Sequence, residues 1–191
     1  MIEKTTRHTI YAKSGSAITP LGKNLEEIYA QACLGHSAAR LHTSQWGGEE
    51  PFFASLFSEN EISDAFLQLS PTQTEFTLVE QAAILALQAA FDKIDFNPAD
   101  PKTLFIISTT KGNVELLQGN DHFDDERPHL WRSAQLISGY FGNPNTPVVV
   151  SNACISGIAA QIEAAHYLQY EDYEHVVVVG VEMLSKFIVS G

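Results

Sequence analysis

Cys154 is the residue of this sequence that is best placed for covalent chemistry. The β-branched run Val148–Val150 precedes it and predicts a strand buried on both faces, and a helix is expected beyond it to about Tyr170. A thiol at a helix start lies beside unpaired backbone N–H groups and the positive end of the helix dipole, which favour the nucleophilic thiolate. The same N–H groups could stabilise the oxyanion formed when sulfur attacks a thioester carbonyl. The alternative is an inert cysteine packed in the core. Apolar residues recur at helical spacing beyond the cysteine at Ile158, Ile162, Ala165 and Leu168.

The loop after a second apolar run supplies further candidate residues. Leu104–Ser108 predicts a buried strand, and in a parallel sheet its C-terminal end would lie near that of the cysteine strand. Thr109, Thr110 and Gly112 follow this strand and are therefore candidate pocket residues. A plain strand-to-helix loop is the alternative interpretation.

The two cysteines do not form a disulfide framework, and neither lies in a zinc-ligand spacing. Cys33 is expected to pack within a first helix. No signal-peptide pattern opens the chain, and no apolar run approaches the length of a membrane span. These features predict a soluble protein of a reducing compartment, the cytoplasm, with no bound metal.

Histidines could act as a general base, but the sequence nominates none of the seven. His166 lies on the same helix as Cys154, yet twelve residues correspond to about 18 Å along the axis, too far for proton transfer. The segment Asp121–Arg127 is expected to form an acidic, solvated surface loop without a calcium-ligand spacing. Glycine-rich nucleotide motifs are absent, so no cofactor is expected.

The net charge of -12 disfavours nucleic acid and an anionic membrane surface as partners. A composition of 45% hydrophobic and 18% charged residues is typical of a globular protein with a substantial core.

The apolar pattern predicts an α/β fold with a mostly parallel central sheet covered on both faces. His8–Ile18 is expected to be a first strand, Glu75–Lys93 a helix buried all round, and His175–Val181 a further buried strand. Short strands are expected at Ala39–His42 and Phe52–Phe57. Cys154 would then lie at the C-terminal end of a central strand, where open α/β folds place their chemistry.

Several motifs together resemble β-ketoacyl-acyl carrier protein synthases, which have a thiolase-like fold. The most specific motif is Asn152-Ala-Cys-Ile-Ser-Gly157. The others are Thr19-Pro-Leu-Gly22, the Ala-rich helix, the Ser108–Gly112 loop and Val179-Gly-Val-Glu182, with Val179 where the family has glycine. All of these motifs occur along the chain in the order found in the family. The sequence of the closing residues, Leu184–Gly191, most resembles that of ketosynthases of the aryl-polyene and dialkylresorcinol type.

The resemblance implies that Cys154 accepts an acyl group from an acyl carrier protein thioester. Malonyl-acyl carrier protein would decarboxylate, and its carbanion would attack the acyl-cysteine. The backbone N–H of Cys154 would form half of the oxyanion hole, and Ser156 and Gly157 join the substrate-pocket candidates. Family members are dimers, so a homodimer or a ketosynthase heterodimer is expected.

The resemblance also implies that residues 1–191 form the N-terminal half of a thiolase-like domain, one half of a duplicated α/β/α layered fold. The family's two catalytic histidines, or a histidine and an asparagine, together with a lysine and the second oxyanion donor, belong to a C-terminal half, which is absent here. We therefore expect this chain alone to be inactive in condensation and to expose an apolar surface.

Two other functions share these motifs. One is a non-catalytic partner subunit of the chain-length-factor type, although such partners can dispense with the cysteine that this chain retains. The other is a thiolase or coenzyme-A-dependent synthase of the same fold.

Docking an acidic carrier protein would need a basic patch. The basic residues Lys102, Lys111, Arg127 and Arg132 are too dispersed in sequence to define one.

Overall fold

A three-stranded parallel sheet lies at the centre of the residues that the structure describes. The computed structural model describes residues 9–43, 45–47, 50–72, 75–120, 122–170 and 172–190. His8, at the start of the expected first strand, and Asp121, in the expected acidic loop, lie outside the described residues.

The regular elements alternate along most of the chain. The α-helices are α1 (Leu25–Cys33), α2 (Glu61–Leu69), α3 (Leu78–Phe91), α4 (Leu130–Tyr140), α5 (Ser156–Tyr170) and α6 (Lys186–Ser190). The strands are β1 (Arg40–His42), β2 (Phe52–Ala54), β3 (Thr103–Ser108), β4 (Val148–Val150) and β5 (His175–Gly180). Short 3₁₀ turns lie at Gln45–Gly47, Val114–Gln118 and Ala153–Ile155.

The buried strand predicted over Leu104–Ser108 is confirmed as β3, every residue of which is buried. It is the middle strand of the sheet. Ser108 at its end pairs in register with Val150 of β4 and with Gly180 of β5. The three carboxyl ends therefore meet at one edge of the sheet, and the loops that follow them lie together. The predicted β1 and β2 form a separate antiparallel hairpin.

Alternating side chains of β3 divide the core into two layers. Phe105 and Ile107 pack in the cluster that contains the apolar residues of α2, α3 and α4. Leu104 and Ile106 pack on the opposite face with Ala160 of α5. Helices thus cover both faces of a parallel sheet, and the expected α/β layering is confirmed.

β4 is an edge strand, which corrects the expectation of a central strand buried on both faces. Within the described part of the chain β4 pairs only with β3, and all three of its valines are partly exposed. The β-branched run correctly predicts the strand itself, but a run of valines does not determine how many neighbours a strand has.

The expected first strand over His8–Ile18 is wrong for the residues that are described, because 9–18 carry no strand pairing. This segment instead lies along α3. The Ser14 hydroxyl donates to the Ala90 carbonyl at 2.9 Å, and the Ser16 hydroxyl donates to the Ala86 carbonyl. Helix carbonyls rather than a neighbouring strand therefore fix its position.

α5 presents its small residues to the sheet. Ser156, Ala160 and Ala164 are buried at a spacing of four residues, which lets the helix approach β3 closely. Ile158 and Ile162, which recur at helical spacing, lie on the other side and are 62% and 53% exposed. The chain thus exposes apolar surface of the kind that the sequence analysis expects.

The helix expected over Glu75–Lys93 is confirmed as α3, but it is not buried all round, because Leu78 is 48% exposed and Leu85 and Phe91 are partly exposed. It begins after Thr77 with a capping box, in which Thr77 and Glu80 satisfy each other's backbone N–H groups. α2 is an additional helix that is not predicted from the sequence.

Gly22→Ala should destabilise the protein by about 1–3 kcal/mol. A methyl group on Gly22 would meet the Ile28 nitrogen and the Glu27 Cβ, both at 2.9 Å, where α1 packs against the Thr19–Gly22 turn. The matched control is Gly139→Ala in α4, which meets no atom within 4 Å and should stabilise by up to about 1 kcal/mol. Urea midpoints measure both variants, and equal midpoints would contradict the close packing at Gly22.

Candidate functional site

The cysteine turn, residues 151–156, connects β4 to α5. A single 3₁₀ turn at Ala153–Ile155 follows the strand, and α5 begins at Ser156. Ala153 has a φ angle of 45°, in the left-handed region that residues other than glycine rarely adopt. Strain of this kind persists only where surrounding contacts hold it, and it clusters at functional sites. The backbone is therefore sharply turned at the residue before Cys154.

The Ser156 hydroxyl makes two hydrogen bonds inside this turn. It accepts from the Asn152 backbone N–H at 2.8 Å and donates to the Ala153 carbonyl at 2.7 Å. The Ser156 backbone N–H also donates to that carbonyl. Ser156 is 6% exposed, so its hydroxyl bonds to the turn, and its role as a substrate-pocket residue remains a prediction.

Cys154 is exposed beside the first turn of α5 and is therefore not packed in the core, while its role as a nucleophile remains a prediction. Among the described residues its thiol makes no hydrogen bond. Backbone N–H groups at a helix start can stabilise negative charge on sulfur or on a reacting carbonyl oxygen. The neighbouring Gly157 is also exposed.

Cys33 provides a contrast within the same chain. It is exposed at the last residue of α1, and the expectation that it packs is wrong because α1 has no buried residue. A helix C-terminus carries the negative end of the dipole. The two thiols are thus similarly accessible but lie at opposite helix ends.

The candidate loop after β3 lies next to the strand that leads to the cysteine turn. The Thr109 N–H donates to the Val150 carbonyl at 3.3 Å, and the Thr109 hydroxyl accepts from the Gly112 N–H at 3.0 Å. Thr109 and Gly112 are buried, and Gly112 has a φ of 52°, which suits glycine. The parallel register therefore positions this loop at the same sheet edge as Cys154, as the sequence predicts.

Glu182 holds the exposed side of this loop. One carboxylate oxygen accepts hydrogen bonds from the Thr110 hydroxyl at 2.7 Å and from the Thr110 N–H. Because Glu182 follows β5, this carboxylate links the ends of two neighbouring strands.

A groove of about 690 Å³ opens on the outer side of the same loop. Thr110 and Glu182 line it together with Trp46 and Pro20, whereas Cys154 does not. Of the predicted pocket residues only Thr110 lines this groove, and Ser156 and Gly157 lie at the cysteine turn instead.

A buried polar cluster anchors the inner end of the loop. The Asn113 amide donates to Glu80 at 3.1 Å and to Ser133 at 2.9 Å, and its carbonyl oxygen accepts from the Thr77 hydroxyl at 2.7 Å. Arg127 pairs with Glu80 at 3.1 Å, although the sequence analysis expects it in a solvated loop. That expectation is wrong because the Arg127 side chain is 7% exposed. The sequence does contain a signal for the cluster, the Thr77-x-x-Glu80 capping pattern.

Burial raises the pKa of Glu115, which follows the loop. The hydrogen bond and charge of Glu174 raise the pKa of Lys102 at the opposite end of the sheet. Lys102, Arg127 and Arg132 each pair with a carboxylate, and the Arg127 side chain is buried, whereas Lys111 lines the groove.

No histidine of the described chain forms a hydrogen bond with Cys154. His166 lies near Glu163, and His129 stacks on Trp131. In the described ranges there is no group of three or more His, Cys, Asp or Glu residues suited to a metal ion. No helix within those ranges is both long and apolar enough to cross a bilayer.

Glu182→Ala should increase amide hydrogen exchange at Thr110 by about tenfold or more, because the loop loses two hydrogen bonds on its exposed side. Exchange measured residue by residue tests this. Glu174→Ala is the control, since it removes an exposed carboxylate that bonds Lys102 near the start of β5. Equal exchange at Thr110 in both variants would contradict the anchoring by Glu182.

Comparisons with known proteins identify the fold. No protein-family model matches the sequence, and no curated protein matches it at a significant level. Solved structures do match over most of the chain. The ishigamide ketosynthase/chain length factor superimposes with a TM-score of 0.73 and 18% identity, over 90% of this chain and 52% of that chain.

Two further structures agree. A β-ketoacyl synthase from Burkholderia phymatum STM815 matches with a TM-score of 0.68 and 19% identity, over 93% of this chain and 48% of that chain. The ketosynthase ApeO in complex with its chain length factor ApeC, from Xenorhabdus doucetiae, matches with a TM-score of 0.65 and 16% identity, over 93% of this chain and 49% of that chain. The chain therefore has a ketosynthase-like, thiolase-type fold and spans about half the length of these structures.

Proposed function

We propose that this chain carries the acyl-accepting nucleophile of a β-ketoacyl synthase, and that the nucleophile is Cys154. The observation that supports this most strongly is the exposed thiol in a strained turn between the carboxyl end of β4, an edge strand, and the start of α5. A buried cysteine in a relaxed loop would offer neither access nor backbone donors.

In the proposed first step, the Cys154 sulfur attacks the carbonyl carbon of an acyl thioester. Negative charge moves to the carbonyl oxygen, where N–H groups of the cysteine turn stabilise it. The tetrahedral adduct then collapses, the bond to the donor sulfur breaks, and the donor thiolate leaves and takes up the proton that the Cys154 thiol released on attack. The acyl group ends as a thioester on Cys154.

The proposed second step joins this acyl group to malonyl-acyl carrier protein with loss of carbon dioxide. We propose that the residues for decarboxylation come from a polypeptide segment outside residues 1–191. Two facts support this: the chain spans about half of the structures that it matches, and no described histidine bonds to the thiol. The donor would be an acyl carrier protein rather than coenzyme A, and the assembly would be a dimer in the cytoplasm.

A non-catalytic partner of the chain-length-factor type is the second candidate. Two of the matching structures are described with a chain length factor, and one is a complex of a ketosynthase with its chain length factor. In that case this chain would bind a ketosynthase, and Cys154 would not be acylated.

Competitive alkylation with iodoacetamide separates the two candidates. Both thiols are exposed, but only Cys154 lies at a helix start. We expect Cys154 to react about tenfold faster than Cys33, as measured by peptide mass mapping over time. Equal, slow modification of both cysteines would contradict the nucleophile and favour the partner subunit.

A further inference from the structure

Ser156 makes contacts that the proposed acyl transfer does not use directly. Its hydroxyl accepts from the Asn152 N–H at 2.8 Å and donates to the Ala153 carbonyl at 2.7 Å. These two groups lie on the N-terminal side of Cys154, whereas Ser156 lies on its C-terminal side. One hydroxyl therefore closes a loop of hydrogen bonds around the cysteine.

The residue that this loop encloses is the strained one. Ala153 has a φ of 45°, a conformation that costs a non-glycine residue about 1–2 kcal/mol. The Ser156 hydroxyl and backbone N–H both bind the carbonyl of Ala153, so they hold the next peptide bond in place. That peptide bond contains the Cys154 N–H, the group proposed to stabilise the oxyanion.

The two hydrogen bonds are partly buried. Ser156 is 6% exposed, whereas its partners Asn152 and Ala153 are exposed, so the serine side of each bond is the side protected from water. Removing the hydroxyl would leave the Asn152 N–H without its acceptor, which favours a rearranged turn.

We infer that Ser156 is a positioning residue, whose hydroxyl holds Ala153 in the left-handed conformation and so fixes the orientation of Cys154. This inference rests on the proposed function of Cys154 and assigns Ser156 a role other than substrate contact. It requires that Ser156 act through Ala153, because its hydroxyl bonds to the backbone and not to the thiol.

The test uses the full chain and measures the ratio of Cys154 to Cys33 alkylation by iodoacetamide. Ser156→Ala should lower this ratio about tenfold, which corresponds to about 1.4 kcal/mol, while Cys33 reacts at the wild-type rate. Ser138→Ala is the matched control. Ser138 is also a buried helix serine that donates to the carbonyl three residues earlier, at 3.3 Å, but it lies in α4.

A second variant distinguishes positioning from a general loss of structure. Ala153→Gly introduced into the Ser156→Ala chain should restore the ratio to within about threefold of wild type, because glycine adopts positive φ without strain. A ratio that stays at the Ser156→Ala level would overturn the inference. So would an unchanged ratio in Ser156→Ala, or a common rise in the reactivity of both cysteines, which reports unfolding.

Hydrogen exchange in the wild-type chain gives a measurement that needs no variant. The Asn152 N–H should exchange slowly despite the exposed surroundings of residues 151–155, and fast exchange would contradict its bond to Ser156. Alkylation does not depend on acyl transfer. A chain that takes up no acyl group would refute the proposed function, whereas alkylation ratios and exchange decide the role of Ser156.

Discussion

Arg127→Ala should lower the free energy of unfolding by about 3–5 kcal/mol, the typical cost of leaving one member of a buried ion pair without its partner. Glu80 is fully buried, and Arg127 donates to it at 3.1 Å and to the Glu75 carbonyl at 2.7 Å. The guanidinium also stacks over the Phe123 ring, 4.7 Å from its centre. Alanine removes all of these contacts and leaves a buried carboxylate. The change is measured by urea unfolding.

Arg132→Ala provides the matched control, because Arg132 pairs with Asp124 at 3.4 Å near the surface. An exposed pair of this kind contributes about 0–1 kcal/mol. The two variants remove the same type of side chain from the same region. The difference between their losses in free energy of unfolding therefore measures the effect of burial. Similar losses in both would contradict the structural importance of the buried cluster.

Cys154→Ala should reduce covalent loading from an acyl thioester to background, because the acyl group is then without its acceptor. Stability should change by no more than about 0.5 kcal/mol, since the thiol is exposed and makes no hydrogen bond within the described chain. A loss of loading therefore cannot be attributed to unfolding. Intact-mass analysis after exposure to the thioester measures it.

Cys33→Ala is the control for this variant. Cys33 is the other exposed thiol, and its replacement should leave loading at the wild-type level. If Cys154→Ala retains the adduct and Cys33→Ala loses it, the assignment of the nucleophile is wrong.

The sequence predicts the elements that carry Cys154 because their signals are local. The apolar run of β3 and the valines of β4 predict strands, and the parallel register then places Thr109 beside the end of β4. The apolar residues at helical spacing beyond Cys154 predict the helix that follows it. The sequence leaves open whether the thiol is exposed or packed in the core.

Features that depend on distant partners could not be predicted in the same way. The edge position of β4 depends on which strands pair, and the inward face of α5 depends on Ala160 and Ala164 fitting against the sheet. Isoleucine is more hydrophobic than alanine, so hydropathy alone would turn the isoleucine face of α5 toward the sheet, whereas the alanine face lies there. The close fit of small residues outweighs that ranking here.

The buried charges illustrate a further limit. Arg127 lies in an acidic segment whose sequence predicts a solvated loop, and Glu80 lies within an apolar helix. Only the fold brings them together with Asn113 and Ser133. The strain at Ala153 has no sequence signal either, because alanine normally favours helical backbone.

The most direct test of the central claim is a time course of acyl transfer to the wild-type chain. The chain is mixed with an acyl-acyl carrier protein, and each cysteine-containing peptide is quantified by mass spectrometry before and after hydroxylamine, which cleaves thioesters. We expect a hydroxylamine-labile acyl group on Cys154 that forms well before any modification of Cys33. Absence of acyl transfer, or equal modification of both cysteines, would contradict it.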